Sequence, residues 1–113
     1  MLNNVVLVGR LVADPELKEV GKEGKVVNFT IAVARSYKNA EGEYDTDFIQ
    51  CNVWNNIAEN MNEYCHKGDL LGVKGQLQSS SYDDKDGNKR FKTDVRVDKL
   101  TFLSSKKEEK DGE

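Results

Sequence analysis

Apolar and polar residues alternate at period two in five stretches of this chain and fall at helical spacing in one. Period two marks a strand with distinct faces; a 3.6-residue period marks a helix. The first stretch is Asn3 to Val12. Val5, Leu7 and Leu11 share one face, and Val6, Val8 and Val12 share the other. A strand apolar on both faces is covered on both, here by a core and by a subunit contact. Gly9 predicts a bend or bulge, and Asp14-Pro15-Glu16 ends the strand. Lys18 to Lys25 is charged and glycine-bearing and predicts a turn. Val26 to Tyr37 forms the second strand, with Val27, Phe29, Ile31 and Val33 inward. Its other face carries only Asn28, Thr30, Ala32 and Ala34, which leaves room for something to lie there. Arg35 and Tyr37 keep the phase of Val33 unless a bulge redirects them. Asn39 to Glu43 is a loop with a turn glycine and joins this strand to the next as a hairpin.

The third strand, Phe48 to Trp54, is the unusual one. Ile49, Cys51 and Val53 make an apolar face; Phe48, Gln50, Asn52 and Trp54 make the other. Outward faces usually carry Lys, Glu or Thr. Two aromatics left in water forgo roughly 1.5–3 kcal/mol of burial each. Such a face has a partner (another protein, a ligand or flat stackable bases), or it is buried as in a sandwich core. Alternation by itself leaves both readings open.

After Trp54 the spacing becomes helical. Ile57, Ala58, Met61, Tyr64 and Cys65 fall on one stripe, predicting a helix of about 8–10 residues. Asn56 with Glu59 resembles a capping box, and Gly68 is placed for a left-handed cap. Asp69 to Ser81 is the fourth strand, with Leu71, Val73 and Leu77 on one face and Lys74, Gln76 and Gln78 on the other. Asp86-Gly87 predicts a hairpin turn. The returning strand, Arg90 to Leu103, has Phe91, Val95 and Val97 inward, then Leu100 and Phe102 in the opposite phase. A bulge near Asp98 accounts for the switch. Five strands with one helix between the third and fourth predict an all-β OB-fold, a five-stranded Greek-key barrel, over 1–103. Residues 104–113 read as a disordered charged tail.

Composition adds a few constraints. The chain has 113 residues, enough for one core, and no apolar run long enough to span a membrane. Cys51 and Cys65 fall in different elements and need no disulfide, which fits a reducing cytosol. The net charge of −3 counts against nucleic-acid binding, although the distribution of charge matters more than its sum. Chemistry is sparse. There is no Gly-rich phosphate loop of the P-loop kind, and Cys65-His66 alone makes no zinc site. His66, the one histidine, reads as a surface residue, and Asp83, Asp84 and Asp86 read as a solvated hairpin tip. Without a nucleophile–base pair, metal site or cofactor motif, the chain reads as a binding protein and not an enzyme.

Four aromatics now stand out: Tyr37, Phe48, Trp54 and Tyr82. The segments around them resemble the bacterial single-stranded DNA-binding protein family. The matching motifs are N-x-V-x-L-V-G-R-L at Asn3 to Leu11 with Asp14-Pro15-Glu16, F-T-I-A-V-A-R-S at Phe29 to Ser36, and D-F-I-x-C at Asp47 to Cys51. Ala58-Glu59-Asn60, Lys67-Gly68, G-V-x-G-x-L-Q at Gly72 to Gln78, and Tyr82 with its D-G turn complete the set. The resemblance implies a cytoplasmic, nucleoid-associated homotetramer with the first strand, Asn3 to Val12, in a dimer contact. It implies sequence-independent binding of single-stranded DNA in replication, recombination and repair. It implies base stacking on Tyr37, Phe48, Trp54 and Tyr82. That agrees with physical expectation, because every base has a π-face. Arg10, Arg35, Lys38, Lys67, Lys74, Lys89, Arg90 and Lys92 are then the candidates for phosphate contacts.

Two departures stand against the resemblance. Gln78, Ser79, Ser80 and Ser81 stand where relatives often carry Arg or Lys. The chain also ends at Lys110-Asp111-Gly112-Glu113, where relatives carry a flexible linker and an acidic tip closing in Pro-Phe. That suggests a truncated form or a tailless paralogue of the competence or mobile-element kind, with no tip to recruit repair enzymes. The competing expectation is a primosome-type OB-fold whose aromatic face meets protein.

Overall fold

The computed structural model describes residues 1–22 and 24–105. The elements are β1 (Val5–Leu11), β2 (Leu17–Val20), β3 (Gly24–Lys38), β4 (Tyr44–Trp54), α1 (Asn55–Tyr64), β5 (Leu70–Asp83) and β6 (Lys89–Ser104). The tail expected over 104–113 lies, from residue 106 on, outside the described residues.

Antiparallel ladders join β1 to β5, β5 to β6, β3 to β4 and β2 to β3. Two short pairings close the ring: β4 runs parallel to β6 at Cys51–Val95 and Asn52–Arg96, and β1 meets β3 at Arg10–Ala32 and Leu11–Ile31. The five expected strands therefore form the closed OB-fold barrel, with α1 between the third and fourth of them. Inside lie Leu11, Val27, Ile31, Val53, Leu71, Val73 and Val95, and α1 contributes Ala58 and Met61. Alternation explains the set: β-branched and aliphatic residues at every second position cover the pleat from within. Cys51 and Cys65 are buried free thiols, and burial pushes the Cys51 thiol up to about 12.

Several expectations change. Lys18 to Lys25 is not a turn throughout. Leu17–Val20 is a sixth strand segment paired to Gly24–Val27, with the turn confined to its far end. The Asn56–Glu59 capping box does not form, since the helix starts at Asn55 after an extended Trp54 without a side-chain cap. Asn55 instead uses its Oδ1 to accept the backbone N–H of Lys25, 3.2 Å away. Gly68 does not cap α1, which ends at an extended Cys65. Its positive φ of 92° serves a turn in which Asp69 N–H reaches the His66 carbonyl at 3.0 Å. Tyr64, at the end of the apolar stripe, is exposed, as are Leu77 and Phe91, both expected inward. The phase of Leu77 and Phe91 is right, but β5 and β6 run on past the barrel as a free hairpin arm, where an inward phase meets solvent.

The expected bulge is present. Lys74 pairs with Lys99 and Gly75 with Val97, leaving Asp98 as the extra residue of β6. Both long hairpins end on the same device. Asn39 Oδ1 accepts the N–H groups of Glu41 and Glu43 at 2.9 and 3.0 Å. Asp84 Oδ1 accepts those of Asp86 and Asn88, both at 2.9 Å. Gly42 and Gly87 supply the left-handed residue that each turn requires, with φ of 81° and 80°.

Candidate nucleic-acid interface

Side chains directly opposite each other across a ladder share a face. On the outer face of β4 this puts Phe48 opposite Ala32, Gln50 opposite Thr30, Asn52 opposite Asn28 and Trp54 opposite Val26. The small side chains of β3 leave an open groove of about 280 Å³ lined by Asn28, Thr30 and Gln50, with Lys92 and Asp94 of β6 on its far wall. Phe48 stands exposed at one end of this face and the half-buried Trp54 at the other. Six residue steps along the strand separate them, about 20 Å.

The parallel β4–β6 contact carries the face onward. Asn52 pairs with Arg96, Arg96 with Gln76, Asp94 with Gln78, Lys92 with Ser80 and Arg90 with Tyr82. Tyr82 thus lies on the same outer face as Phe48 and Trp54, out on the hairpin arm. It is exposed. Arg10 joins from the other side, because it pairs with Ala32, which itself pairs with Phe48.

Asn52 does not face water as its alternation suggests. It is buried, and its Oδ1 accepts the Trp54 Nε1–H at 3.0 Å. The Arg96 guanidinium lies over the Trp54 ring, 5.6 Å from its centroid. Sequence reasoning did not single out Arg96; its one signal there is an outward Arg between inward Val95 and Val97.

The remaining candidates are dispersed. Tyr37 is exposed in the irregular stretch between Ala34 and Lys38 where the β3–β4 register shifts. Lys38 sits over the Tyr44 ring at 5.8 Å. Arg35 turns to the inward phase of β4 and grips Asp47 with Nε and Nη2 at 3.0 and 2.9 Å, with Asp45 at 3.7 Å. The pair raises the Arg35 pKa and holds the Asp47 carboxyl below its usual range, chiefly through the hydrogen bond between them. Arg90 meets Asp84 at 2.8 Å and Lys92 meets Asp94 at 3.6 Å. Lys89 lies with Phe91 on the reverse face of the arm, 6.0 Å from that ring. Lys74 stands by register between Val6 and Lys99. Lys67 lies in the turn after α1, its N–H bonded to Asp14 at 2.8 Å. Arg10 Nη1 donates to the Gly68 carbonyl at 2.9 Å. No group of three or more His, Cys, Asp or Glu suited to a metal ion occurs among the described residues.

The profile of the single-strand binding protein family matches residues 2–103. Single-stranded DNA-binding protein B of Bacillus subtilis is 43% identical over 110 residues, which is 97% of this chain and 97% of that protein. A single-stranded DNA-binding protein of Halalkalibacterium halodurans is 46% identical over 112 residues, 99% of this chain and 67% of that one. Among solved structures, a Plasmodium falciparum SSB in complex with ssDNA superposes with a TM-score of 0.83 at 24% identity, covering 92% of this chain and 96% of that one. At that identity the likeness is one of fold.

Proposed function

The chain belongs to the single-strand binding protein family, and from that premise we propose that it binds single-stranded DNA without regard to sequence, in replication, recombination and repair. One observation carries the reading. Phe48, Trp54 and Tyr82 share an outer face that runs over a polar groove across β3, β4, β6 and the hairpin arm. Bases in a single strand expose their π-faces, whereas those in a duplex are already stacked on one another. Aromatic side chains on such a face stack with any base, at about 1–3 kcal/mol per base. Tyr37, at the end of the β3–β4 hairpin, extends the stacking set. Arg10, Lys67, Lys38, Arg35, Arg90 and Lys92 are the proposed backbone contacts, the last three only after leaving their aspartates; Lys89 lies with Phe91 on the reverse of the arm, and Lys74 lies beside Val6 on the outer face of β1.

Assembly follows from β1. Val6 and Val8 are exposed on its outer face beside Gly72 and Thr101, a surface with little polar content. A second copy covering it fits the homotetramer typical of the family, and sedimentation equilibrium at micromolar concentration tests that state against a monomer mass. No helix among the described residues is long and apolar enough to cross a membrane; the proposed location is the cytoplasm, at the nucleoid.

The function is tested by titrating the chain with oligo-dT and with duplex DNA of equal length. Tight binding to oligo-dT with duplex at least 100-fold weaker is expected. Equal binding to duplex overturns the reading. Binding to neither overturns it as well, and favours a face that meets protein.

A further inference from the structure

We propose that Arg96 is a positioning residue for Trp54, fixing the indole from one side so that its other side is ready for a base; the inference rests on the single-strand reading above.

Trp54 sits where β4 gives way to α1, and its backbone is still extended (φ −126°, ψ 150°). A large ring at an element boundary, facing outward, would ordinarily sample several rotamers. This one is held at three points. It stands opposite Val26 of β3, which is buried. Its Nε1–H is tied to Asn52 Oδ1 at 3.0 Å, and Asn52 is itself only 9% exposed. The Arg96 guanidinium covers one ring face, 5.6 Å from the centroid.

Arg96 is well anchored for this. Its neighbours Val95 and Val97 are 1% and 4% exposed, so the backbone beneath it belongs to the core. The parallel pairing of Asn52 with Arg96 brings both of the indole's polar partners to one point. Arg35, Arg90 and Lys92 face aspartates, and Lys38 and Lys89 lie over the exposed rings of Tyr44 and Phe91, whereas Arg96 lies over a half-buried indole on the outer face of β4. A guanidinium over an indole face is attracted by the ring quadrupole and opposes the ring's turning away from it. A base arriving on the opposite side meets a ring whose ordering cost has already been met in folding. Phe48, exposed and with only Ala32 opposite, has no such support.

The test is a double-mutant cycle read by oligo-dT titration at fixed salt. Arg96 is exposed, so Arg96→Gln should melt with the parent. Arg96→Gln should weaken binding about 2–5-fold, and Arg96→Lys, which keeps a cation but not the broad guanidinium, should fall between. In a Trp54→Ala background, Arg96→Gln should change affinity less than 2-fold, because Arg96 acts through the ring. The salt slope should be the same for Arg96→Gln and the parent. Trp54 is the only tryptophan, so emission anisotropy of the DNA-free protein should drop in Arg96→Gln as the ring loosens. An equal loss in both backgrounds, with a slope shallower by about 0.7, would overturn positioning in favour of a phosphate contact. So would unchanged affinity and anisotropy in Arg96→Gln. If the parent fails to bind oligo-dT, the single-strand reading falls, while the DNA-free anisotropy still reports whether Arg96 holds the ring.

Discussion

Phe48 and Phe91 are both strand phenylalanines left in water, 67% and 76% exposed. Composition and propensity do not distinguish them, but register does. Phe48 shares the outer face with Trp54, and through Asn52–Arg96 and the β5–β6 ladder with Tyr82. Phe91 pairs with Ser81 and so lies on the reverse of the arm. Replacing either by alanine removes a ring that is mostly solvated. Full burial of such a side chain is worth about 1.5–3 kcal/mol, so the third that Phe48 buries is worth roughly 0.5–1 kcal/mol and the quarter that Phe91 buries slightly less. Both variants should melt within a few degrees of the parent. Binding should separate them. Phe48→Ala loses one stacked base, about 1–3 kcal/mol, or about 5–160-fold in Kd for oligo-dT. Phe91→Ala should lose less than 2-fold. Fluorescence titration at moderate salt measures both, with circular-dichroism melts as the control. If Phe91→Ala loses as much as Phe48→Ala, the face assignment built on register is wrong, and the strand passes over both sides of the arm.

Other substitutions test other parts of the reading. Asp47→Asn frees Arg35 from its two-point grip, so the slope of log K against log[salt] should steepen by about 0.7, one phosphate's worth; an unchanged slope removes Arg35 from the DNA path. Gly75→Ala should destabilise by about 1–3 kcal/mol, the cost of overpacking, because the added Cβ would fall on the Arg96 carbonyl and within 2.9 Å of the Val97 Cα; a melt within a degree of the parent counts against that packing. Burial raises the Cys51 thiol from 9.0 to about 12, so the native state favours the protonated form. Its contribution is then complete below pH 9 and lost as pH rises from there towards 12. Urea midpoints across that range should fall less in Cys51→Ala than in the parent, and equal falls would show that the thiol is not the titrating group.

Strand phases were legible in the sequence because a barrel core imposes period two wherever a strand crosses it. Even the Asp98 bulge showed, since one extra residue must flip every side chain after it. Features that depend on partners distant in sequence did not show. Leu17-Lys-Glu-Val20 is too short and charged to display a period, and becomes a strand only because the first residues of β3, Gly24 to Val27, pair with it. Leu77 and Phe91 have inward phase, but phase cannot tell where the barrel ends and the arm begins. Asn55, which looks like any polar residue at a helix start, is drawn from capping by the Lys25 backbone 30 residues away. The Arg96–Trp54 contact depends on the parallel closure of β4 on β6, which leaves no trace in local pattern. Phe48 and Trp54 were therefore readable as outward aromatics, whereas Tyr37, in the inward phase of Val33, was not, and neither were the side chains that hold Trp54 in place.

The acidic balance of the chain and its proposed ligand look incompatible until the charges are placed. Arg35, Arg90 and Lys92 each have an aspartate within 4 Å, and Asp45 adds a second at Arg35. Exposed pairs of this kind contribute little to stability, with a median near 0–1 kcal/mol, so folding alone gives little reason to hold three cations this way. Their larger effect is on the ligand. A phosphate reaching Arg35 must displace a carboxylate that already satisfies the same guanidinium edge, so each such contact is an exchange rather than a gain. Added salt screens the resident pair as well as the incoming phosphate, which flattens the dependence of binding on ionic strength. Ser79, Ser80 and Ser81 on the arm add no charge to offset this. On the proposed reading the aromatic face supplies most of the affinity, and the contacts of Asn52 and Arg96 with Trp54 order one of its rings before DNA arrives.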